Sequence, residues 1–249
     1  MRVGDTVRRP WAPHTEGVHA WLRHVRAAGF TAVPEPLDRD DNGREVLAWV
    51  DGDVAVPPYP QWACTDEYLV SVAELLRAMH DASAGFDPTP YVWNDELQDP
   101  IAGPTMCHSD LCLENLVARD GRVVAFLDFD FLAPGRVVTD VVATARFVVP
   151  LRSPARRNPW LDEDDVFRRL RLFVDVYGLS ELDRAIFADV LEQRRANGEQ
   201  FVLNRARRGE ALFADWLKPA GAEKLCAERA WIVANHDRII TALVDHGQL

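Results

Sequence analysis

The sequence predicts an α+β fold of two unequal lobes, a reduced sheet-bearing N-terminal lobe over residues 1–56 and a mainly helical C-terminal lobe over 57–249. Three observations carry this expectation. β-branched runs bounded by turn residues are confined to the first half of the chain, Pro57-Pro58-Tyr59-Pro60 interrupts them, and beyond Pro134-Gly135 apolar residues recur at helical spacing. A chain of 249 residues, 48% of them apolar, can bury a large core.

Taken in order, Val3 to Arg9 reads as a turn and short strand that Pro10 and Pro13 end. Thr15 is a candidate N-cap for a helix carrying Val18, Trp21, Leu22 and Val25 on one face, closed by Gly29. Glu45 to Val50 is the best strand of the N-terminal lobe, turned by Asp51-Gly52. Past the prolines, Tyr68, Leu69, Val72, Leu75, Leu76 and Met79 trace a buried helix from Thr65 or Asp66 to His80, a cap or core-edge histidine. The proline-rich residues 84–105 read as loop. Asp120-Gly121, between Asn115–Ala118 and Arg122–Leu127, predicts a tight hairpin that returns Asp128 to the neighbourhood of Asp110 and Asn115. Helices follow near 137–149, 163–177, 181–197, 199–217 and 222–245, with Trp, Phe and Leu as bundle core.

A net charge of −11 argues against general affinity for nucleic acid or an anionic membrane; it suits a cationic partner, although acidity is common among soluble chains. Four cysteines without metal-ligand spacing, no signal peptide and no long apolar run lead to the expectation of a reduced, cytoplasmic protein. The only lysines are Lys218 and Lys224.

The chemistry-bearing stretch is His108-x-Asp110-x-x-x-x-Asn115, followed after the hairpin by Asp128-Phe129-Asp130. Phosphoryl transfer needs a group that orients the attacking hydroxyl and takes its proton, and oxygen ligands for Mg2+. Asp110, with an ordinary pKa near ~4, would accept the proton late; Asn115 and Asp128 would bind the metal. His108 would fix the loop. Asp130 reads either as a ligand to a second metal or as a loop cap, and Asp140 as a helix-start carboxylate bracing the loop.

The run His-Ser-Asp-Leu-x-x-x-Asn-Leu-Val, then Leu-Asp-Phe-Asp-Phe-x-Ala-Pro-Gly and Asp140 with Ala143, resembles the aminoglycoside phosphotransferase and choline kinase superfamily, the small-molecule branch of the protein-kinase-like fold. The resemblance implies ATP or GTP with Mg2+, a hinge at Ala48, Trp49 and Val50 whose backbone meets the purine, and a small-molecule acceptor. The too-short link from Asp128 to the helix near Val137 leaves no peptide-docking segment.

Kinase-like enzymes pair a strand lysine with a helix glutamate, and no lysine precedes Lys218. Arg9 is the best substitute and Arg8 the second; the glutamate is sought on the following helix, where only Glu16 stands near the start and Val18 and His19 lie further in. Few residues precede Arg9, so the lobe is either minimal or starts downstream of its natural beginning. The expected activity is phosphotransfer to a hydroxyl of a small cationic molecule, an aminoglycoside-like antibiotic foremost, which would make the chain a resistance enzyme. The alternatives are a metabolic kinase for choline, homoserine or a sugar, and a nucleotide-binding pseudoenzyme. Acidic runs at 162–165 and at Glu181 and Asp183 would face a polyamine or simply start helices. Trp160, Trp216 and Trp231 would form an aromatic wall or pack as core.

Overall fold

The computed structural model describes residues 1–157 and 160–244. The N-terminal sheet is built from β1 (Arg2–Val3), β2 (Thr6–Arg9), β3 (Pro36–Arg39) and β4 (Glu45–Ala48), antiparallel in the order β1-β2-β4-β3. Sequence patterning missed β3, because Pro-Leu-Asp-Arg does not alternate; its proline is tolerated on an edge strand, where its position in the order puts it. Helix α1 (Thr15–Ala27) buries Val18, Trp21, Leu22 and Val25 as expected, but Thr15 is its first residue and not its cap; the Thr15 hydroxyl accepts from the Ala12 amide at 3.0 Å.

Strand β5 (Asp53–Val54) leaves this sheet and pairs with β7 (Leu116–Arg119) of the larger lobe. We propose the division between the lobes at 56/57, with β5 on its N-terminal side paired to the larger lobe. Helix α2 (Asp66–Ala82) is capped by Thr65, whose hydroxyl accepts from the Tyr68 amide at 3.2 Å. The loop predicted over 84–105 ends one residue early, in β6 (Thr105–Cys107), which pairs with β9 (Ala133–Gly135) and so brackets the functional stretch. Between them, β7 and β8 (Arg122–Phe126) form the expected hairpin, with Asp120 at φ +50° and Gly121 at φ +77°.

The helical part comprises α3 (Val137–Val148), α4 (Glu163–Tyr177), α5 (Glu181–Ala185), α6 (Phe187–Arg207) and α7 (Pro219–Leu243). The predicted break at Gly198 is absent. Helix α6 runs through it, with Gly198 in its interior at a helical φ, so this glycine does not terminate the helix. The chain breaks instead between α5 and α6, and residues 211–217 form a 3-10 turn. Residue 245 of the predicted last helix lies outside the described residues. The buried apolar residues form one core from Val18 in α1 to Leu243 in α7, and the Trp21 and Phe129 rings, 5.0 Å apart, join α1 to the loop after β8.

Asp99, in the long loop, clamps the start of α3. Its carboxylate accepts from Arg136 Nε at 2.8 Å, Arg136 Nη2 at 3.0 Å and the Thr139 hydroxyl at 2.6 Å. Nearby, a Cβ on Gly103 would meet the Gly135 carbonyl oxygen at 2.1 Å, so only glycine fits. Burial alone would raise the Asp99 carboxyl; the bonds from Arg136 and Thr139 outweigh it and hold the pKa at about 2. The folded value lies below the unfolded one near ~3.9, so this contribution is present above about pH 4 and lost as pH falls towards 2. Asp99→Asn is expected to lower the unfolding free energy at pH 7 by about 3 kcal/mol, read by denaturant titration, with the gap from wild type narrowing below pH 4. A gap that stays constant with pH would contradict the assignment.

Candidate active site

Asp140, in the first turn of α3, is fully buried and gathers three donors: the His108 amide at 2.8 Å, the Ser109 amide at 2.7 Å and His80 Nε2 at 3.0 Å. Burial alone would raise its pKa; the His80 hydrogen bond, the two histidines and the Ser109 amide outweigh it, and the carboxyl lies below its ordinary range. With its proton on Nε2, His80 donates to Asp140 while Nδ1 accepts from the Tyr177 hydroxyl at 2.7 Å. The residue read as a cap or core-edge histidine is thus a buried strut. The clamp holds Ser109 at φ +68°, a conformation costly for a serine.

Downstream, two bonds close the loop on itself and two tie it to the loop after β8. His108 Nε2 lies 2.9 Å from the Leu127 carbonyl and Nδ1 3.4 Å from the Asp110 amide, so a ring protonated on Nε2 donates to the first and accepts from the second. Burial lowers the His108 pKa and keeps that ring neutral. Asn115 Nδ2 donates to the Asp110 carbonyl at 2.9 Å, which fixes the amide and leaves Oδ1 without a donor among the described residues. The Asn115 carbonyl accepts from the Leu127 amide at 2.8 Å and brings Asp128, at φ +61°, alongside.

The Asp110 carboxyl has no hydrogen-bond donor among the described residues. Burial, then the charge of Asp128, pushes it up to about 7 against the opposing pull of Arg194. The ordinary value expected from sequence is therefore corrected, and the group titrates where a proton acceptor is most useful. Arg194 of α6, which sequence reasoning missed, donates to the Ser109 carbonyl at 2.8 Å and to the Leu97 carbonyl, holding the loop from behind.

Arg9 of β2 binds three carboxylates: Glu45 at 2.7 Å, Asp128 at 2.8 Å and Asp130 at 2.7 Å. The glutamate that pairs with Arg9 is Glu45 of β4, not a residue of the following helix. It stands opposite Arg9 in the β2–β4 register, and its second oxygen is 2.9 Å from His19 Nε2, so the helix contributes a histidine. A buried acid in the best strand of the lobe was the available signal. Arg8 points to the other face and pairs with Asp40 at 3.0 Å, so it is not brought into the site. At the expected hinge, the Ala48 amide donates to Glu35 and the Trp49 amide to Asp5, both at 2.8 Å; only the Val50 amide lacks a backbone acceptor among the described residues.

For a metal, Asn115 Oδ1 and the Asp128 carboxylate are hard oxygen donors suited to Mg2+. Among the described residues no group of three or more His, Cys, Asp or Glu is poised to hold an ion alone. That set fits an ion that completes its octahedron with phosphates and water.

Elsewhere, Asp162 caps α4 by accepting from the Asp165 amide at 2.8 Å, Asp165 pairs with Arg168 and Glu163 with Arg238, while Glu181 and Asp183 lie in the first turn of α5. The protein's own arginines face two of the tryptophans: Arg156 lies 5.3 Å from Trp216 and Arg157 4.7 Å from Trp231, which is buried. Trp160 is exposed and donates to the Tyr59 carbonyl at 3.2 Å. Against Asp110 lies a cavity of about 160 Å³ whose polar walls include Arg146, Arg152, Arg156, Arg194 and Glu228.

The Asp110 shift is directly measurable. Its carboxyl carbon is expected to titrate near pH 7 by NMR in the unliganded chain, as about 7 implies, and Asp128→Asn, by removing the repelling charge, to move the midpoint down. Midpoints near ~4 in both proteins would contradict this account of the site.

No curated protein matches this sequence. Among solved structures, the amicoumacin kinase hAmiN, in complex with AMP-PNP, Ca2+ and Ami, superposes with a TM-score of 0.62 at 14% identity, covering 94% of this chain and 80% of that one. A choline/ethanolamine kinase family protein from Mesorhizobium loti gives 0.58 at 14% identity, covering 92% and 88%. The gentamicin complex of APH(2'')-IIa gives 0.55 at 11%, covering 91% and 86%. At such identities the likeness is one of fold, the α+β, protein-kinase-like architecture with a small sheet lobe and a mainly helical remainder. The sequence profile of the Phosphotransferase enzyme family matches residues 5–94 and 89–173, most of the chain, and the protein belongs to that family.

Proposed function

We propose that the protein transfers the γ-phosphate of ATP or GTP to a hydroxyl of a small molecule. The observation that carries this is the convergence of Asp110, Asn115 and Asp128 on two loops joined through Leu127 by His108 and Asn115 and braced by Asp140, with a cavity opening on Asp110. In this reading the acceptor hydroxyl donates to Asp110, the oxygen attacks phosphorus, the bridging oxygen leaves with the nucleoside diphosphate, and the proton passes to Asp110. Mg2+ held by Asn115, Asp128 and the nucleotide would neutralise the charge on the transferring group. Arg9 would exchange Asp128 and Asp130 for the phosphates while Glu45 keeps its guanidinium in place. His108, Asp140 and Arg194 position the loop. Asp130 serves as the counter-charge of Arg9, and Val50 is the hinge residue whose amide remains for a purine.

Which acceptor is used follows from local charge. The overall acidity favoured a cationic, aminoglycoside-like acceptor, or among metabolic alcohols choline. Charges more than about 8 Å away are largely screened at physiological ionic strength, so the walls of the cavity outweigh the net charge, and those walls are rich in arginine. A binding-only protein of the same family is the second reading; the observation favouring it is that Arg9 is committed to Asp128 and Asp130 in the unliganded chain.

The two readings separate on kinetics. Asp110→Asn is expected to lower acceptor-dependent release of nucleoside diphosphate by about a thousandfold, with the KM for nucleotide little changed. Arg9→Ala is expected to raise that KM about tenfold, and Arg9→Lys to raise it less. Nucleotide binding by calorimetry without release on any acceptor would favour the binding protein, and full turnover in Asp110→Asn would overturn the site.

A further inference from the structure

The cavity against Asp110 carries more positive charge than the fold uses. Arg194 is occupied by the Ser109 and Leu97 carbonyls, and Arg195 by Glu192 and Glu199. Three other arginines are not. Arg146, on α3, reaches only the Arg194 carbonyl, at 3.5 Å. Arg152 stacks 4.2 Å from the Phe147 ring and makes no side-chain hydrogen bond among the described residues. Arg156 has Glu228 at 3.9 Å. The Nε groups of Arg146 and Arg152 are buried without an acceptor among the described residues.

One buried carboxylate, Glu228, therefore faces three guanidinium groups, and one of its oxygens is taken by the Ser153 amide at 3.0 Å. Burial, and then repulsion by the neighbouring arginines, pushes Arg146 down to about 9 and Arg152 to about 10. Desolvating like charges together is costly unless something pays it back. An oxyanion does so, because a guanidinium binds carboxylate or phosphate through paired, charge-assisted hydrogen bonds.

We infer that Arg146, Arg152 and Arg156 form an oxyanion pocket for the acceptor, so that a small hydroxy compound bearing a carboxylate or phosphate is held there with its hydroxyl on Asp110. The inference rests on the phosphotransfer reading for the role of Asp110, but the anion pocket itself stands on the arginines. The size agrees: a cavity of about 160 Å³ is below the roughly 300–1,000 Å³ of pockets for drug-sized ligands. A polycation would meet three guanidinium groups with one carboxylate, Glu228, among them.

The test has two arms on the full chain. In the first, inorganic phosphate is titrated by calorimetry. Arg146→Gln and Arg152→Gln are each expected to weaken binding about tenfold, Arg152→Lys less, and Glu228→Gln, which removes the competing anion, to tighten it about threefold. Absence of binding to wild type, or wild-type affinity retained in both glutamine variants of the arginines, would overturn the pocket. In the second arm, diphosphate release with Mg-ATP is compared for glycerate, glycerol 3-phosphate, neutral glycerol and cationic serinol. An anionic acceptor is expected to exceed glycerol in kcat/KM by about tenfold or more, the better of the two naming carboxylate or phosphate, and Arg152→Gln to erase the preference through KM. Serinol leading would overturn the inference. Phosphate binding through Arg146 and Arg152 with no release on any acceptor would instead mark failure of the phosphotransfer reading alone.

Discussion

Asp140 sits where no water can solvate it, so its charge is tolerated only while the amides of His108 and Ser109 and the His80 imidazole all point at it. That requirement runs both ways. The carboxylate forces Ser109 into a left-handed backbone, and the left-handed residue turns the chain so that Asp110 faces the cavity. From there the dependence spreads outward: His108 reaches Leu127, Asn115 reaches both Asp110 and Leu127, and Asp128 arrives beside them. A loop with little regular structure is thereby held as firmly as a sheet.

Around this frame the charges are arranged in opposition. Asp110, Asp128 and Asp130 crowd one side, and Arg9 is the cation that balances two of them, steadied by Glu45 and His19. Behind Asp110, arginines crowd the other side, where Glu199 is paired with Arg195 and Glu228 is the carboxylate left among the rest. The unliganded chain thus has a carboxylate cluster that a cation relieves and a guanidinium cluster that an anion relieves. Asp110 stands at the boundary between them, which is where a hydroxyl would meet a phosphorus.

Much of this was legible in the sequence. The spacing of His108, Asp110, Asn115 and Asp128 and the Asp120-Gly121 turn bring these four residues together without long-range information, since they lie within about twenty residues of one another, although Asp140 and Arg194, which hold the loop, are more distant. Arg9 was found because no lysine was available. What escaped was non-local: Glu45 acts through strand register, and Arg194 and Asp99 through contacts with distant backbone. The acidic runs catch the eye in sequence but are helix starts and surface pairs, whereas the arginines that matter are scattered at 146, 152 and 156 and converge only in the fold.

The central claim is that one constellation binds nucleotide phosphates on the Asp128 side and an acceptor on the arginine side of Asp110. A crystal structure with Mg2+ and a non-hydrolysable ATP analogue tests it most directly. The account predicts the metal on Asn115 and Asp128, and Arg9 released from Asp128 and Asp130 to the phosphates with its Glu45 bond intact. The arginine-lined cavity would remain open on the far side of Asp110. Phosphates seated among Arg146, Arg152 and Arg156, or Arg9 still paired with Asp128 beside a bound nucleotide, would contradict it.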